Sequence, residues 1–136
     1  MSTAKNKEKL QRLTLEQLIA AKAQREKDAL RVEEIEIPSL NGTLLFRRPS
    51  DEMLLDMTNV LQDDQDTKLI VDEMAKIIYA CCDQLHDKTL YEELEVGDPV
   101  DVVYEIMTAA DILDVGGKVC DMNPLFKDLE GEIKNA

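Results

Sequence analysis

The sequence predicts an α+β fold, mainly α-helical with one N-terminal antiparallel β-hairpin. Three features carry this reading. After residue 50, apolar residues recur at three- and four-residue spacing, the period of helices with one buried face. Before that, the stretch "IEIPSLNGTLLF" (35–46) alternates instead and contains an Asn-Gly turn signal. The length of 136 residues suits one domain, and 44% apolar with 33% charged residues suits a folded core under a charged surface.

Residues 1–13 read as a flexible polar N-terminus, and 14–136 as a single domain. Thr14-Leu-Glu-Gln17 fits a capping box, in which Thr14 accepts from the backbone and Gln17 reaches back. Leu15 to about Arg31 is rich in helix formers, but its apolar face is short. It holds Leu15, Leu18 and Ile19, then only Ala23, Ala29 and Leu30. A helix with so little to bury is solvent-exposed or meets a partner.

The hairpin is expected over about 33–47. Ile35 and Ile37 alternate with Glu34 and Glu36, and Leu44 and Phe46 share one face of the return strand. Pro38 confines the first strand to an edge or an end, and Asn41-Gly42 supplies residues that accept positive φ. An apolar hairpin face must rest on other elements, since isolated hairpins are marginal. The hairpin is therefore read as an anchor that holds the N-terminal helix at a fixed exit from the body.

A helical body is expected over about 50–122. Ser50 caps its first helix, with Asp51 and Glu52 placed against the helix dipole, and Met53, Leu54, Met57, Val60 and Leu61 form its stripe. The strongest stripe runs from Leu69 to Leu85 and predicts a central helix over about 66–85. Gly97-Asp98-Pro99 reads as a helix start, with Asp98 as cap and Pro99 at the first helical position. A further helix carries Ile112, Leu113, Val115 and Val119, and Gly116-Gly117 is expected to weaken or bend it. Beyond Asn123-Pro124, Phe126, Leu129 and Ile133 suggest a last amphipathic turn or two in a weakly ordered C-terminal segment.

The net charge of −13 is unevenly placed. Residues 1–31 hold eight Lys and Arg against four Asp and Glu, a net of +4, whereas the remainder has a net of −17. So acidic a body repels nucleic-acid backbone and anionic membrane, so neither is an expected partner. No apolar run approaches the roughly 18 residues of a membrane span, and no signal-peptide stretch opens the sequence, so a cytoplasmic protein is expected. Cys81, Cys82 and Cys120 make an odd count that fits small core residues better than a disulfide framework.

The search for chemistry finds little. Cys82 and the single histidine, His86, are four apart and on a helix would share a face, but a tetrahedral metal site needs further ligands. Asp63/Asp64 and Glu92/Glu93 are carboxylate pairs that nothing distinguishes from a solvated acidic face. "VGGKV" (115–119) lacks the spacing of a phosphate loop. No catalytic, metal or cofactor-binding residue is assigned, and a non-enzymatic interaction protein is expected. The candidate partner-binding residues are Leu15, Leu18, Ile19, Ile35 and Ile37.

The order of segments then carries a family resemblance. "LTLEQLIAAKAQREKD" is followed by "IEIPSLNGTLLFRRPSDEM", and then by an acidic helical body with "GDPVDVVYEIM" and "ADILDVGGKV". From about Leu13 to Cys120 the chain resembles the XkdN-like tail assembly chaperones of Bacillus phages and prophages. The resemblance implies a non-enzymatic chaperone without cofactor. Its implied partner is the phage tape-measure protein, with the tail tube protein as a second candidate. It further implies action in the bacterial cytoplasm and absence from the mature virion. Rival readings are an acidic phage-encoded decoy or adaptor that binds a host protein, a small metal-dependent enzyme, and a structural tail component.

Overall fold

The computed structural model describes residues 10–135, without side-chain detail from 133 onward. Residues 1–9 of the polar N-terminus, and the side chain of Ile133, lie outside the described residues. The capping box at Thr14 forms as read, with Gln17 Oε1 accepting from Thr14 N–H at 2.8 Å. It opens α1, Leu15–Ala29. The hairpin follows this helix: β1, Val32–Ile37, pairs antiparallel with β2, Gly42–Arg47. The helical remainder comprises α2 (Asp51–Asp63), α3 (Thr67–Cys81), α4 (Lys88–Leu94), α5 (Asp101–Ile106), α6 (Ala109–Asp121) and α7 (Leu125–Asn135).

Strand register decides what the hairpin buries. Ile35 lies opposite Leu44, and Glu33 opposite Phe46. Directly opposed residues share a face, so Ile35, Ile37, Leu44 and Phe46 all point inward. Ile35, Ile37 and Phe46 are buried and Leu44 is packed beside them. β1 lies against α6 and β2 against α3, the two helices that pack most closely on each other. α2 packs on α7, and Leu54, Met57, Leu61 and Phe126 join the same core.

Two buried polar side chains fix the hairpin ends. The Asp111 carboxylate, at the start of α6, accepts from Ser39 N–H at 3.3 Å, from the Ser39 hydroxyl and from Thr108 N–H at 3.1 Å. These bonds, led by the Ser39 hydroxyl, hold the Asp111 carboxyl below its ordinary value of 3.8. At the other end, the Asn123 amide donates to the Pro49 carbonyl at 3.1 Å and to Asp51 Oδ1 at 2.8 Å. Its oxygen accepts from Leu125 N–H at 3.0 Å and from Arg48 Nη2 at 3.3 Å. Asn123 thus joins the hairpin exit, the start of α2 and the start of α7.

Several expectations change. The hairpin turn is not a two-residue Asn-Gly turn. Pro38–Leu40 form a 3-10 turn, Asn41 alone takes positive φ (50°), and Gly42 is the first residue of β2. The central helix stops at Cys81, because Cys82 is extended (φ −123°, ψ 102°), and Leu85 reaches the core from a separate 3-10 turn, Asp83–His86. Asp98 and Pro99 form a turn ahead of α5, which becomes regular only at Asp101. Gly116 and Gly117 sit inside an unbroken α6. A Cβ on Gly116 would lie 2.8 Å from the Cβ of Met74, so this glycine lets α6 approach α3. The C-terminal segment is an 11-residue helix, and the short α4, which buries no residue fully, is an element additional to those expected.

Candidate interaction surface

α1 is a helix with no buried residue. Its capping box and the first-turn Glu16 favour helix locally, as do Ala and Gln along its length, so it forms without a core of its own. Leu15, Leu18 and Ile19 occupy positions i, i+3 and i+4, hence one face. They are 73%, 51% and 61% exposed. Leu10 and Leu13, just upstream, are exposed as well. Both fall in the segment expected to be a polar tail, although their three-residue spacing is that of a pair on one helical face. One exposed ion pair, Arg25 to Asp51 at 3.4 Å, links α1 to α2, and such a pair is worth about 1 kcal/mol or less.

The other two candidate residues lie elsewhere. Ile35 and Ile37 are 6% and 1% exposed, under the sheet. Their side chains hold the hairpin to the core and do not join the α1 face. The outward face of the hairpin consists of Glu34, Glu36, Thr43, Leu45 and Arg47, all exposed.

The three thiols lie together in the core, with Cys81 near Cys120. Burial pushes the Cys81 thiol up to about 11 and the Cys120 thiol up to about 12, and it raises Cys82 too. All three are buried and protonated at neutral pH, which makes them poor nucleophiles. Cys82 and His86 do not share a helix, since α3 ends before both. The His86 ring lies against Tyr79 with centroids 4.4 Å apart, and its Nε2 is 2.6 Å from the Tyr79 carbonyl oxygen. Among the described residues, no group of three His, Cys, Asp or Glu is arranged to hold a metal ion. Asp63, Asp64, Glu92 and Glu93 are exposed.

A cleft of about 430 Å³ lies between α1 and the start of α2, lined by Arg25, Arg47, Arg48, Ser50, Asp51 and Asn123 among others. Its cations are engaged. Arg25 pairs with Asp51, Arg48 donates to Asn123, and Arg47 meets Asp83 at 3.0 Å and the Ala80 carbonyl at 2.9 Å. No helix among the described residues is long and apolar enough to cross a membrane. Comparison with protein-family models, with curated proteins and with solved structures finds no match to this chain.

Proposed function

We propose that this chain is an XkdN-like phage tail assembly chaperone, a non-enzymatic protein that binds the tape-measure protein and assists tail tube assembly. The carrying observation is the α1 face, three large aliphatic side chains displayed at helical spacing on a helix that buries none of its residues. A long, apolar helical partner is the natural complement to such a face, because helices dock through i, i+3 and i+4 anchors. The acidic body supports the same reading, since high net charge keeps a carrier soluble while it holds an insoluble client. The resemblance in segment order supplies the identity of that client. On this reading the chain works in the bacterial cytoplasm and is released before the virion matures. Co-expression with the tape-measure protein of the same genome is the test. Co-elution on size exclusion, with more soluble tape measure than when it is expressed alone, is the expected result. Presence of the chain in purified particles would favour a structural tail component instead.

A further inference from the structure

The two edges of the hairpin are finished differently. In an antiparallel pair, alternate residues turn their N–H and C=O groups away from the partner strand. The bond from Arg48 N–H to the Arg31 carbonyl, 3.0 Å, sets that alternation. It turns the backbone of Leu45 outward on β2, and those of Val32, Glu34 and Glu36 outward on β1. The β2 edge is closed at its middle: Gln84 Oε1 accepts from Leu45 N–H at 2.9 Å, and beside it the Arg47 side chain is held by the Ala80 carbonyl and Asp83. The β1 edge has no such closure. Val32, Glu34 and Glu36 are exposed, and no side chain among the described residues hydrogen-bonds to their outward backbone groups.

We propose that the outer edge of β1 is a docking strip for an extended segment of another protein that carries Lys or Arg at alternate positions. Backbone pairing supplies the affinity of an added strand, and alternate side chains supply its selectivity. Residues of the added strand that lie beside Glu34 and Glu36 are two apart and on the outward face, so opposite charge is favoured at both. The residue between them lies beside Ile35 on the inward face, where an aliphatic side chain extends the buried surface. The preferred segment is therefore basic–aliphatic–basic. A second copy of β1 is a poor occupant, because it would set carboxylates beside carboxylates, the usual device against edge-to-edge association. This strip is separate from the α1 face, and its chemistry stands whether or not α1 holds a tail protein.

The test uses the full chain, labelled with 15N, and a blocked Lys-Val-Lys-Val-Lys peptide. The expected result is saturable binding, with the largest amide shifts at Val32–Ile37 and slowed exchange of the Glu34 and Glu36 N–H groups. Glu34→Pro removes one outward N–H and leaves the β1–β2 ladder bonds in place, so it should abolish binding in a folded protein. Charge reversal by E34K with E36K should weaken binding about tenfold and confer binding of Glu-Val-Glu-Val-Glu. No saturation, shifts spread over the acidic helices, or unchanged exchange at Glu34 and Glu36 would each overturn the proposal.

Discussion

Asp111 and Asn123 show how single side chains close this fold. Each is buried and fully engaged, and each joins segments more than 70 residues apart in sequence. Removing the Asn123 amide leaves the Pro49 carbonyl and Leu125 N–H without their partner, so Asn123→Ala is expected to cost about 2 kcal/mol in denaturant unfolding. Asp111 adds a pH dependence of definite sign. Its carboxyl is held below 3.8, so the stability it contributes is fully present above that value. That stability is lost as pH falls through the lower folded value. Asp111→Asn should therefore be less stable than wild type at neutral pH and show a flatter acid limb below about pH 4 in unfolding titrations. Phe46, buried under the hairpin, is expected to cost about 3–5 kcal/mol on truncation to Ala, and an unchanged melting curve would remove the anchor role. The local caps at Thr14 and Ser50 were legible because their partners lie three residues away. The bonds of Asp111 and Asn123 were not, since nothing in a linear spacing names a partner so distant.

Among the elements, period proved a good guide to what exists and a poor one to where it ends. The stripe from Leu69 to Leu85 is continuous in burial, yet the chain leaves the helix at Cys82 and returns Leu85 to the core by a 3-10 turn. A sequence pattern records which residues are buried and does not record that change of path. The short α4, with Leu90, Tyr91 and Leu94 only partly buried, gave too little period to read. It is tied in laterally, through the hydroxyl pair of Tyr79 and Tyr91. The two glycines of α6 make the clearest test at this level. Gly116→Ala drives a methyl into Met74 and should destabilise by about 1–2 kcal/mol despite the gain in helix propensity. Gly117→Ala meets nothing within 4 Å and should stabilise by up to about 1 kcal/mol. Thermal unfolding of the two variants checks the opposite signs.

For the molecule as a whole, the design is an acidic helical body that fixes a hairpin and leaves one helix unburied. The sparse apolar face of α1 was readable from the sequence, because Leu15, Leu18 and Ile19 are the only large apolar residues in a helix otherwise made of Ala and polar side chains. That Ile35 and Ile37 rest on the core follows from the alternation that marks the hairpin's apolar face, and their burial there takes them out of the set of residues open to a partner. Because the α1 side chains touch little, replacing Leu15, Leu18 and Ile19 together by Gln should shift unfolding by about 1 kcal/mol at most. Burial of three such side chains in a complex is worth several kcal/mol, so the same triple variant should lose about a hundredfold or more in affinity. The decisive measurement is co-purification of the tape-measure protein with wild type and with this triple variant, at equal expression and with melting curves in hand. The proposed function requires a soluble complex with wild type and little or none with a variant that is still folded. An equally abundant complex with both would contradict the role assigned to α1, and no complex with wild type would contradict the chaperone reading itself.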